Sequence, residues 1–324
     1  MDFGAAPAAR SRAPLGLTVA AFVRRHPVAV FLAWFFTVGQ AIAFVPLIAR
    51  QLFGRELADA PFLMTATVIG LLLPTIAITR ITDGAEGLRA LRRRTLAVGV
   101  PARWYGFAVV SVPLVVVAVW AAASGPPEQT SSPALASALG TGLLLQLVVV
   151  FVTFNLWEEV AWMGFVQARL QERHGPIRAA VIAGPVFALG HISQVIEDSV
   201  SATLVLLSLL IAVSIPFRAL QAWVYNRTDS LFLVGLVHAA ANATAAGSVL
   251  GRIARPPVSR RQRGRAGLPD PGRTGSGRHC PHPRPARTPQ MNADRIRRIA
   301  ADVAAAGKLP GMSVAVAGPV SERD

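Results

Sequence analysis

The chain has 324 residues, 53% of them hydrophobic and 15% charged, with a mean hydropathy of +0.48. That balance excludes an ordinary soluble domain and points to the membrane class. The formal charge of +15 comes from short arginine clusters that flank apolar runs, which is loop charge and not the basic face of a nucleic-acid groove, so nucleic acid is excluded as a partner. The single cysteine, Cys280, can form neither a disulfide framework nor a thiolate metal site within the chain.

In chain order, apolar runs of roughly bilayer-crossing length, about 20 residues, fall at Pro27 to Ile48, Pro61 to Thr79, Trp104 to Ala123, Leu135 to Trp157, Ile177 to Ser193, Val200 to Phe217 and Leu231 to Leu250. The expectation is an all-α, multi-pass transmembrane bundle of about seven spans over 27–250, preceded by a short segment, 1–26. The fifth and sixth runs are short and broken by Gly184, Pro185 and Pro216, so they are expected to be kinked or sheltered by neighbours. The first run is too long for a signal peptide and lacks a small-residue cleavage site.

Arginine asymmetry sets the orientation. Arg10, Arg12, Arg24 and Arg25 precede the first run, and Arg89, Arg92, Arg93 and Arg94 fill the loop after the second. Arg169, Arg173 and Arg178 follow the fourth, whereas the loops after the third and fifth carry only acids, Glu128 in one and Glu197 and Asp198 in the other. The positive-inside rule then places the amino end in the cytoplasm of a plasma membrane, and the bias of arginine over lysine suggests a bacterial source.

Beyond Leu250 the composition changes. Residues 252–290 hold ten arginines, one aspartate, many Pro and Gly and almost no large aliphatics, so 251–290 is expected to be a disordered basic tail. Seven spans with the amino end inside would put this tail outside, against the same rule; a miscounted span or a reading-frame slip in a GC-rich gene would resolve the conflict. The stretch 291–324, with a helix-forming run Ala293 to Ala306 and a strand-like Leu309 to Val316, looks like the opening of a penicillin-binding-type serine hydrolase, and ends before any nucleophile motif.

Ionisable side chains inside a span cost a few kcal/mol each (~3) and are functional candidates by default. Glu158 and Glu159 close the fourth run, His191 lies late in the fifth, and His238 lies in the seventh with Asn242 one helical turn later. Alone, a histidine is more often a hydrogen-bonded core residue, and a glutamate pair a solvated helix end. Together, two carboxylates, two imidazoles and an amide are the parts of a hydrolase. A carboxylate and an imidazole can deprotonate water, and an imidazole and an amide can donate to the oxyanion of a peptide carbonyl. The alternative chemistry is zinc held by Glu158, His191 and His238 with water in the open position.

The order Glu158-Glu159, Phe187-x-x-x-His191 and His238-x-x-x-Asn242, each at a span, resembles the CPBP intramembrane proteases, a family that includes the CAAX prenyl endopeptidases and bacteriocin-processing and self-immunity proteins. The resemblance covers roughly Trp104 to Leu250, including the Asn226-Arg227-Thr228 and Ser230-Leu231 segment before the last motif. It implies Glu158 as general base, Glu159 as an orienting residue, His191 as binder of the water, and His238 and Asn242 as oxyanion donors. The family has been described both with and without metal. Met163 stands where the family pattern has Arg, and the further span common after the last motif is replaced by the basic tail.

The expected activity is hydrolysis of a peptide bond in a membrane-associated peptide or small membrane protein, within membrane lipid. Two other classes compete: a catalytically silent binding or immunity protein on the same fold, which Met163 favours, and a transporter whose carboxylates relay protons.

Overall fold

The computed structural model describes residues 15–124, 143–197 and 199–245. The expected tail at 251–290 and the segment 291–324 lie outside the described residues. Of the described residues 89% are helical and none is in a strand, as an apolar chain without a water-exposed face requires, because a helix satisfies its own backbone polar groups.

Ten helices run through the described residues: α1 Leu15–Arg25, α2 Pro27–Ala43, α3 Val45–Phe53, α4 Asp59–Thr82, α5 Gly84–Thr95, α6 Ala102–Ser124, α7 Leu144–His174, α8 Pro176–Leu189, α9 Val200–Thr228 and α10 Leu231–Ala245. Every apolar run of the sequence has become a helix, with altered ends. Three, α4, α7 and α9, are long and apolar enough to cross a membrane, and α1 with α2 would make a fourth span if the bent pair is counted as one. The helices over the third, fifth and seventh runs have shorter apolar stretches, Ala102–Val116, Pro176–Leu189 and Leu231–Thr244.

Two boundaries differ from the sequence reading in ways that matter. The fourth run does not end at Glu158 and Glu159: α7 continues to His174, so the pair sits in mid-helix. The sixth is not short, because α9 passes through Pro216 and continues to Thr228. In both cases a polar residue that looked like a helix end is turned inward, where neighbouring helices supply its partners.

Close crossings hold α7, α8, α9 and α10 together. A Cβ on Gly235 of α10 would stand 3.0 Å from Cα of Leu156 in α7, and one on Gly184 of α8 would stand 2.9 Å from Cα of Ile215 in α9. Small residues at such points let helix backbones meet in lipid, where no hydrophobic drive between helices exists and packing supplies the attraction.

Two apolar clusters flank the crossing. One joins α6, α7, α9 and α10 through Leu147, Phe151, Leu156, Val234 and Val237. The other joins α2 to α7 and α8 through Phe31, Phe35, Trp162, Phe165 and Phe187. Trp162 is its hub, with edge-on contacts to Phe31, Phe35 and Phe187 at centroid distances of 6.2, 5.4 and 5.5 Å. Large apolar side chains also point outward, among them Leu114, Val119, Leu145, Leu204, Leu209 and Val213, the surface a bilayer covers.

Candidate active site

α7 is not a regular helix around the glutamates. π-helical stretches at Phe151–Asn155 and Trp162–Gln167 bracket the α-helical Leu156–Ala161. Each widened turn rotates the following residues relative to a regular helix, and such turns recur at functional sites. Here adjacent glutamates, which point about 100° apart on a helix, take up different surroundings: Glu159 is fully buried and Glu158 faces a cavity.

Glu159 is held from two other helices. Arg218 of α9 donates from Nη1 to Oε1 at 2.9 Å and to Oε2 at 2.8 Å, and Gln221 one turn later donates from Nε2 to Oε1 at 3.0 Å. Arg218 Nη1 also lies 2.7 Å from Gln221 Oε1, so one nitrogen is shared among three acceptors. Nδ1 of His238, from α10, lies 2.9 Å from Glu159 Oε1. The carboxylate can only accept, so His238 carries a hydrogen on Nδ1. Glu159, Arg218 and Gln221 have no exposed surface. A buried charge pair is tolerated when hydrogen bonds complete it, and this one is completed on the carboxylate side.

His191 follows α8 at the first turn of a short 3₁₀ segment, Ile192–Gln194. Its Nδ1 lies 2.8 Å from the Phe187 carbonyl oxygen, which likewise can only accept. Nε2 is then the ring nitrogen left for the cavity that His191 lines. The Phe187 ring lies between the two histidines, its centroid 4.5 Å from that of His191 and 5.6 Å from that of His238.

Glu158, His191 and Asn242 line one cavity of about 60 Å³, together with Gln40, Asn155 and Gln194. Apolar walls come from Phe35, Leu71, Phe154 and Trp162. Glu158 Oε2 accepts from Asn155 Nδ2 at 3.4 Å and lies 3.8 Å from His238 Nδ1. The five residues singled out by the sequence are thus arranged in two tiers. Glu158, His191 and Asn242 face the cavity, while Glu159 and His238 stand against Glu158 from the protein side.

Two amide oxygens are left over. Gln40 donates from Nε2 to the Gly190 carbonyl at 2.8 Å, and Asn155 donates to Glu158, which fixes which end of each amide is nitrogen. Gln40 Oε1 and Asn155 Oδ1 then remain buried without a partner, and both residues line the cavity.

Sequence reasoning missed Arg218, Gln221, Asn155 and Gln40. Arg218 follows an apolar run immediately and so resembles a span end. The available signal was the spacing of Arg218 and Gln221, three apart and therefore on one helical face. Met163, at the position where the resemblance expects Arg, is fully buried in the apolar cluster, and the guanidinium that holds Glu159 comes from α9.

Residues 140–244 match the family model described as type II CAAX prenyl endopeptidase, Rce1-like. Over this stretch the chain is similar to that family. The similarity supports a hydrolase of the protease class and agrees with a multi-pass membrane protein associated with a peptide or protein substrate. No curated protein and no solved structure matches the chain. The matched stretch carries all five residues named above and also Arg218 and Gln221, but neither α2 nor α4, which complete the cavity wall.

Among the described residues no three His, Cys, Asp or Glu side chains are grouped so as to enclose a metal ion. Glu158, His191 and His238 are not grouped as a metal site among the described residues, and no step below is routed through a metal.

Proposed function

We propose that the chain is an intramembrane endopeptidase in which Glu158 and His191 activate water inside the bundle. The observation that carries this reading is the cavity that joins Glu158, His191 and Asn242 within an apolar helix bundle.

Glu158 takes a proton from a water whose second hydrogen is held by the bare Nε2 of His191, and the hydroxide attacks the peptide carbonyl carbon. Asn242 donates to the oxygen that becomes negative. His238, the second oxyanion donor implied by the family resemblance, has its Nδ1 hydrogen committed to Glu159. Glu158 then returns its proton to the departing amine nitrogen, which leaves a carboxylic acid and an amine. Asn242 replaced by Leu would remove a donor and slow turnover by about 10²–10³-fold.

The unpartnered Gln40 Oε1 and Asn155 Oδ1 suit the same substrate. A peptide strand drawn into a water-poor cleft needs acceptors for its backbone N–H groups, and two are waiting in the cavity wall. At about 60 Å³ the cavity holds a few waters and not a peptide, so substrate entry separates helices that now touch.

The test is cleavage of a peptide library by the purified chain in detergent, with Glu158→Gln as control. Cleavage should fall by about 10²–10⁴-fold in the variant while the melting temperature stays close to that of the parent. Cleavage that survives in Glu158→Gln rejects the reading. Absence of cleavage in the parent, with partner binding intact, supports the silent binding or immunity protein that Met163 favours.

A further inference from the structure

α1 and α2 meet at 99°. α1 turns Val19 and Phe22 outward, 54% and 59% exposed, buries Val23, and ends on Arg24 and Arg25. A short helix set across the end of a span, apolar outside and basic at its terminus, lies in the plane of the membrane interface with its arginines at headgroup depth.

In the bend lies a second cavity, of about 550 Å³, closed by the ends of α1, α4 and α7 and the start of α2. Four arginines, Arg24, Arg25, Arg169 and Arg173, line it against two acids, Asp83 and Glu172. Arg169 is committed to Asp83 at 2.5 Å and to Thr82 Oγ1 at 2.9 Å, and Arg24 donates from Nε to the Ile81 carbonyl at 3.0 Å. Arg25 and Arg173 make no hydrogen bond or ion pair among the described residues. His26, His174 and Thr82 also line it, and Pro27, Val28, Leu32 and Leu170 give it an apolar side.

Uncommitted guanidiniums beside an apolar wall, at the depth where phosphates lie, match an amphiphile with an anionic head. A free inorganic anion would gain nothing from Val28, Leu32 and Leu170, and a zwitterionic head would bring its own cation against Arg25 and Arg173. We infer that this cavity binds the phosphodiester headgroup of an anionic glycerophospholipid, with Arg25 and Arg173 on the phosphate and the first acyl carbons against Val28, Leu32 and Leu170. Guanidinium pairs bind phosphate oxygens through strong charge-assisted hydrogen bonds, and basic recesses between spans recognise such heads. The inference stands apart from the protease reading, since no residue of the catalytic cavity takes part.

Native mass spectrometry and thermal unfolding of the full chain, delipidated in neutral detergent, test it with three additives: phosphatidylglycerol, phosphatidylcholine of the same chains, and inorganic phosphate. Phosphatidylglycerol should be retained at least tenfold better than phosphatidylcholine and should raise the melting temperature. The Arg25→Gln, Arg173→Gln double variant should lose that preference, Arg25→Lys, Arg173→Lys should keep it, and Arg92→Gln, Arg93→Gln on exposed α5 positions should leave it unchanged. Equal stabilisation by inorganic phosphate overturns the assignment in favour of a free-anion site. An equal loss in the Arg92, Arg93 control, or no preference in the parent, overturns it in favour of general surface attraction.

Discussion

A guanidinium with no exposed surface has to be balanced, and in this chain Arg218 and Glu159 balance each other while Gln221 and His238 complete the carboxylate. Arg218 is balanced on one side only: Nε and Nη2 are buried without partners, and the cation lies over the Phe187 ring with Cζ 5.4 Å from its centroid. Removal of the arginine alone leaves Glu159 as an uncompensated charge in an apolar bundle. Arg218→Met is therefore expected to cost about 3–5 kcal/mol, read as a fall in unfolding temperature or in denaturant midpoint. The Arg218→Met, Glu159→Gln double variant should recover most of that stability, because the charge is gone. It should not recover turnover, because His238 then faces a neutral amide. Recovery of both would show that Glu159 serves only to satisfy Arg218. The candidate glutamates and histidines were legible in the sequence because ionisable groups stand out against apolar runs. Asn155, Gln40 and Gln221 were not, since an uncharged amide in a span carries no signal until its neighbours are known.

Metal dependence is tested at this scale. His191 and His238 each have Nδ1 held, by the Phe187 carbonyl and by Glu159, which leaves Nε2 for water or for a metal, but with Glu158 they are not grouped as a metal site among the described residues. Cleavage is accordingly expected to survive prolonged dialysis against a chelator, with less than one equivalent of zinc found by elemental analysis. Loss of activity that returns on adding zinc would replace the glutamate mechanism with the metal one.

Helices set where these side chains meet, and the positions of helices were easier to read than their ends. A hydropathy run stops at the first charge, so α7 was cut at Trp157 and α9 at Phe217, although both continue, to His174 and to Thr228. The charges at which the runs stop, the Glu158-Glu159 pair and Arg218, include a buried pair: Glu159 and Arg218 point at each other and not at water. No local pattern distinguishes a buried pair from two exposed ends; only the crossing of α7, α9 and α10 does. That crossing depends on Gly235, where a Cβ would lie 3.0 Å from Leu156 Cα, two residues before Glu158. Gly235→Val should push α10 away from α7, destabilise the bundle by about 1–3 kcal/mol and lower kcat by more than tenfold, because His238 moves with α10. Gly106→Ala on α6, where a Cβ meets nothing within 4 Å, is the matched control and should change neither.

At the scale of the whole molecule, the family-matched stretch 140–244 supplies the polar residues but does not close the cavity. Phe35, Gln40 and Ala43 of α2, with Leu63, Ala66, Thr67 and Leu71 of α4, form the opposite wall. α2 also covers Trp162 through Phe31 and Phe35, and Gln40 ties it to the turn that carries His191. Without α2 and α4 the cavity would open to lipid, Trp162 would lose Phe31 and Phe35, and the Gly190 carbonyl its donor. A fragment that starts at residue 125 is thus expected to enter the membrane yet show no cleavage. Co-expression with residues 1–124 should restore activity, since the two parts bury the aromatic cluster against each other as separate helices of one bundle do. Full activity of the fragment starting at residue 125 alone, measured in membranes against the intact chain, would mean that α2 and α4 are a shelter for the site and take no part in holding water or substrate.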